Sequence, residues 1–66
     1  MRVEINGKVK EVPNGISLQK LLEDLSLPQQ RVAVELDHRV IRKIDWPLTL
    51  VNDGARIEVV HFVGGG

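Results

Sequence analysis

The sequence predicts an α+β domain in which one helix lies on one face of a sheet of four to five strands. Three observations predict it. Alternating apolar and polar residues flank Asn6-Gly7, the strongest short-range signal for a β-hairpin. Leu18, Leu21, Leu22 and Leu25 then recur at i, i+3, i+4 and i+7, which is a single apolar stripe along a helix. Alternation returns after Pro28 and ends in the apolar run Arg56 to Val63. A striped helix between two sets of strands buries its stripe against the sheet they form.

The first hairpin places Met1, Val3 and Ile5 on one side of a strand and Arg2 and Glu4 on the other, with "KVKEV" returning. A strict two-residue turn pairs Ile5 with Lys8 and sends Lys10, not Val9, toward the core side. A longer loop reverses this, and the pattern leaves both registers open. "VPNG" interrupts the strand, and Ser17 is a suitable helix N-cap, with Ile16 and Leu21 spaced to form a hydrophobic staple. The helix is expected to run about three turns. Pro28 ends it, because the residue before a proline avoids helical geometry.

Val32, Val34 and Leu36 form the next alternating strand, Asp37-His38 suits a turn, and Val40 and Ile41 are β-branched. "RKIDWPL" from Arg42 to Leu48 is irregular, and Pro47 argues against a central strand. Asn52-Asp53-Gly54 is a further turn signal. The long apolar strand that follows is expected at the centre of the sheet.

One domain is all that 66 residues allow, and at this size folding buries only roughly 60% of the unfolded chain's surface. With no cysteine and two histidines, neither a disulfide nor a structural metal reinforces so thin a core. His38 and His61 lack metal-ligand spacing, and Trp46 is expected as a lid over the apolar interior. The missing cysteine also removes thiol nucleophiles and fits a reducing cytoplasm, the expected compartment. "MRVEING" shows no signal-peptide pattern and no segment nears the ~20 apolar residues of a membrane span, so a soluble chain with an unprocessed N-terminus is expected. Nine basic and nine acidic residues cancel, and few aromatics are available for base stacking, which argues against nucleic-acid binding. Arg39, Arg42 and Lys43 form a small basic cluster suited either to a solvated loop or to steering an acidic partner.

The last residues read "HFVGGG". With glycine at about 7% of ordinary sequences, three in succession arise by chance in only about 0.03% of cases, so chance is set aside. A flexible linker remains one reading. The other is chemical: Gly64, Gly65 and Gly66 carry no Cβ, so they suit an arm that enters a channel too narrow for side chains. The only reactive group on such an arm is the Gly66 carboxylate. Ionised at neutral pH, it is a poor electrophile until it is activated. Upstream, period-two reasoning turns Ile57 and Val59 toward the core and Glu58, Val60 and Phe62 outward. Val60 and Phe62 then form an apolar patch beside the tail, a candidate for partner docking.

Taken together, the Asn6-Gly7 hairpin, "VIRKIDW" from Val40 to Trp46, Asp53-Gly54 and "IEVVHFVGGG" from Ile57 to Gly66 resemble the ThiS family of sulfur carrier proteins. The resemblance spans the whole chain. It departs at Ala55, where such proteins commonly carry an acidic residue after the Asp-Gly pair; that position is expected in a turn, without chemistry. The resemblance implies a β-grasp, ubiquitin-like fold with a mixed sheet over residues 1–63 and a flexible glycine tail over 64–66.

It also implies a role as protein co-substrate, not enzyme. A ThiF-type enzyme, using ATP and magnesium, adenylates Gly66. Sulfur relayed as a persulfide from a cysteine desulfurase yields a Gly66 thiocarboxylate, which thiazole synthase uses as sulfur donor. No cofactor is then bound by this chain, and neither nucleic acid nor membrane is a partner. The open sheet face is the docking surface common in ubiquitin-like proteins. Three other readings stand beside it: the small subunit of molybdopterin synthase, a ubiquitin-like protein modifier, and a non-covalent β-grasp binding module to which the tail is irrelevant.

Overall fold

The computed structural model describes residues 1–62. Strands β1 (Arg2–Ile5) and β2 (Lys8–Glu11) precede helix α1 (Leu18–Asp24). Strands β3 (Val32–Leu36) and β4 (Arg39–Ile41), a 3-10 segment (Lys43–Leu48) and β5 (Arg56–His61) follow. The sheet order is β2-β1-β5-β3-β4, with β5 central, parallel to β1 and antiparallel to β3. A mixed five-stranded sheet with one helix on one face is the β-grasp arrangement.

Asn6 and Gly7 both take positive φ, 49° and 82°, and Ile5 is paired with Lys8. The turn is therefore the strict two-residue form whose twist matches the flanking strands. This resolves the register: Lys10 opposes Val3, while Val9 lies across from Glu4 on the other face. All of β2 is exposed, so its lysines remain in water and protect the sheet edge from unwanted strand pairing. Asp37 and His38 repeat the device between β3 and β4, at φ 50° and 70°.

Helix α1 starts as expected, with Ser17 Oγ accepting from the Lys20 N–H at 3.1 Å and with Ile16 and Leu21 buried. Its end differs. The helix covers seven residues, about two turns, and stops before Pro28 acts. Ser26 enters the left-handed region at φ 53°, where its N–H donates to Glu23 O at 3.0 Å and the Leu27 N–H donates to Leu22 O at 2.8 Å. These two bonds are a Schellman motif, with Leu27 folding back onto the core beside Leu22. Glycine usually marks this motif, and here serine holds the position.

The core joins Leu18, Leu21 and Leu22 of the helix to Val3, Ile5, Val34, Ile57 and Val59 of the sheet. Trp46 is 1% exposed and belongs to this core outright. Its indole N–H donates to Ile41 O at 2.9 Å, which fixes the 3-10 segment to the end of β4 and satisfies a buried donor. Ala55 closes the turn at Asp53-Gly54, its N–H on Asn52 O at 3.1 Å and its methyl buried.

Candidate functional site

β5 is the element that delivers the C-terminal residues, and its position is fixed from both sides. On one side all five residues of β3, Val32 to Leu36, pair with β5. Phe62 continues that ladder, its N–H donating to Arg31 O at 2.8 Å. On the other side β1 reaches only as far as Arg56 and Ile57 before turning away at Asn6.

Asn6 makes good the shortfall. Its backbone N–H donates to Ile57 O at 2.9 Å. Its side-chain Oδ1 accepts from the Val59 N–H at 2.8 Å, and Nδ2 donates to Val59 O at 3.4 Å. A side-chain amide thus extends the ladder by one step where the strand has ended. From sequence Asn6 reads only as turn chemistry. Its second role rests on a contact 53 positions along the chain, with no local signal.

The open face of β5 carries the expected side chains. Ile57 and Val59 are buried under α1, and Val60 and Phe62 are 51% and 63% exposed. Val60 is paired across the ladder with Ala33, and Val40 on β4, opposite Glu35, is also exposed. Gly64, Gly65 and Gly66, with Val63, lie outside the described residues.

The other candidates lie elsewhere. His38 sits in the β3–β4 turn and His61 at the end of β5. Among the described residues no three His, Asp or Glu side chains gather into a possible metal site. Arg39, Arg42 and Lys43 are exposed, with the Lys43 ammonium 6.0 Å from the Trp46 ring centroid, at the outer reach of a cation–π contact. An open depression of about 490 Å³ is lined by Met1, Asn14, Gly15, Leu50, Asn52 and Asp53. Its one carboxylate, Asp53, accepts from the Arg2 N–H at 2.9 Å. No described helix is long and apolar enough to cross a membrane.

Comparison with known proteins adds the following. The ThiS family model matches residues 3–66, a span that includes the three terminal glycines. A crystal structure of a thiamine biosynthesis protein (ThiS) from Geobacter metallireducens superposes with a TM-score of 0.89 at 33% identity, each chain covered completely. A thiazole synthase from Paramagnetospirillum magneticum is 33% identical over 66 residues, all of this chain but 20% of that protein. The chain thus spans about a fifth of the length of that relative. The ycf40 protein of Pyropia yezoensis is 39% identical over 64 residues, covering 97% of this chain and 90% of that one.

Proposed function

The chain belongs to the ThiS family, and we propose on that basis that it is a sulfur carrier of thiamine biosynthesis which works as a protein co-substrate. The observation that carries this reading is the family match running through Gly66, directly beyond a central strand that is pinned on both edges up to Val59. A carrier of this kind needs a rigid body for recognition and a thin arm for chemistry. Residues 1–62 supply the first, and Gly64, Gly65 and Gly66, having no side chains, suit the second.

The chemistry falls on the Gly66 carboxylate. One of its oxygens attacks the α-phosphorus of ATP on a ThiF-type enzyme, with magnesium on the leaving pyrophosphate, and an acyl-adenylate forms. A persulfide sulfur then attacks the acyl carbon and AMP departs. A second thiol cleaves the resulting acyl disulfide, which leaves the thiocarboxylate on Gly66 and a disulfide on the donor. Thiazole synthase receives that sulfur. The occurrence of a ThiS-like stretch within proteins named thiazole synthase supports this partner.

This chain contributes the Gly66 carboxylate, glycines without side chains before it, and a docking face that carries Val60 and Phe62. A cytoplasmic setting accords with chemistry that consumes ATP and thiols. The test is ATP–pyrophosphate exchange by a ThiF-type enzyme, which the full chain is expected to support and a chain lacking Gly65 and Gly66 is not. Equal exchange with both chains rejects the reading. Sulfur transfer to a thiazole synthase, set against a molybdopterin synthase large subunit, then separates the two pathways.

A further inference from the structure

The open face of the sheet is charge-compensated on one half only. Toward β2 and β1, Arg2 pairs with Glu11 at 3.2 Å and Arg56 with Glu4 at 3.0 Å. Toward β3 and β4, the register sets Glu35 directly opposite Glu58, with Val40 on the other flank of Glu35. Directly opposed side chains on one face have Cβ atoms about 5 Å apart, and like charges so placed are destabilising.

Both carboxylates are half-buried, and among the described residues neither joins an ion pair or a side-chain hydrogen bond. Arg56, two positions before Glu58 on the same face of β5, is held by Glu4 instead. Residues 63–66 carry no cation. Val40, 68% exposed, flanks the pair on one side and Val60 and Phe62 lie on the other, while Arg42, exposed one step past Ile41 on the β4 side, joins no ion pair among the described residues.

This arrangement works against the isolated chain, since repulsion is placed in the middle of a surface that β-branched residues would fill more favourably. It becomes favourable when a cation is brought between the two carboxylates. Building on the carrier reading, we propose that the β5–β3–β4 half of the open face docks the adenylating enzyme through an arginine of that enzyme seated between Glu35 and Glu58. Apolar side chains of the enzyme cover Val40, Val60 and Phe62.

Arginine fits better than lysine. Its planar fork of donors can bridge two carboxylates, and it sheds water at lower cost where apolar groups close around it. A second copy of this chain placed face to face brings the same two carboxylates and adds repulsion. A nucleic-acid phosphate is repelled for the same reason.

The test compares the full chain with Glu35→Gln/Glu58→Gln and Glu35→Lys/Glu58→Lys, titrated against the adenylating enzyme at low and high salt. The glutamine variant is expected to fold with an equal or higher denaturation midpoint, because a repulsion is gone. It should nonetheless bind about 10-fold more weakly, with a shallower salt dependence and a similar adenylation rate at saturation. The lysine variant should bind more weakly again. Phenylglyoxal should modify one enzyme arginine that the wild-type chain protects and the glutamine variant leaves open. Unchanged affinity and salt dependence in the glutamine variant would overturn the proposal, as would a wild-type dimer that Val60→Asp dissociates. If the wild-type chain itself is never adenylated, the carrier reading fails and this one falls with it; failure seen only between wild type and variants falls on the carboxylate pair alone.

Discussion

Ile57 and Val59 leave β5 toward the helix, while Glu58, Val60 and Phe62 leave it toward open solvent, and the two faces of this one strand obey different rules. The covered face is wholly apolar, with Ile57 at 0% exposure, and the hydrogen bonds around it are complete through Asn6 and β3. The open face sets exposed apolar groups beside Glu35 and Glu58, which join no ion pair among the described residues. The first pattern is what folding stability selects. The second is the pattern the proposed docking face requires. On the proposed reading, stability and recognition separate along a single strand, residue by alternate residue.

Substitutions on the two faces should accordingly fail in different assays. Ile57→Ala removes methyl groups from the densest part of the core and is expected to cost about 2–5 kcal/mol, enough to unfold much of so small a domain. Urea denaturation reads this directly, and a loss below about 1 kcal/mol would mean that the strand is less tightly covered than its burial implies. Phe62→Ala should change stability by no more than about 0.5 kcal/mol while raising the KM of the adenylating enzyme for the chain about 10-fold. A large stability loss with unchanged turnover would reverse the assignment of the two faces.

Two further variants address how β5 is held. Asn6→Gly keeps the left-handed turn and removes only the side-chain bonds to Val59, for an expected cost of about 1 kcal/mol and faster amide exchange at Val59. Ser17→Ala removes the helix cap at a similar cost of about 1 kcal/mol, yet leaves exchange at Val59 slow until global unfolding. Equal local exchange in both variants would show that Asn6 contributes nothing specific to the strand.

The smallest effect concerns pH. The hydrogen bond and negative charge of Asp24 raise the Lys20 pKa above its ordinary value. A raised folded-state value means that this pair stabilises below the unfolded pKa and loses its contribution as pH climbs through the folded one. Because the pair is at the surface, Lys20→Met should match wild type at strongly alkaline pH and fall only slightly below it at neutral pH, as read by thermal melts.

How much of this was legible in the sequence depends on whether the signal was local. The Asn6-Gly7 turn, the leucine stripe and the period-two alternation of Ile57 to Phe62 are local patterns, and each maps onto the structure. The pattern in β2 was ambiguous because an edge strand with no cover has no face to keep apolar; the turn geometry settled the register in its place. The early end of α1 was hidden because Ser26 adopts a conformation that glycine normally advertises. Trp46 reads from sequence as a lid, and its full burial is accommodated by Ile41 O, an acceptor presented by the end of β4. The side-chain ladder of Asn6 and the opposition of Glu35 to Glu58 both depend on pairing across the sheet, which no stretch of sequence displays by itself.

The proposed carrier role puts the working atom at Gly66 and gives the rest of the chain a supporting part. The intact mass of the full chain after incubation with ATP, a ThiF-type enzyme and a persulfide donor tests this most directly. The account predicts a species in which one oxygen is replaced by sulfur, located by fragmentation at Gly66 and absent when ATP is withheld. Neither adenylate nor thiocarboxylate under conditions in which an established carrier reacts, or sulfur located at any other residue, would contradict it.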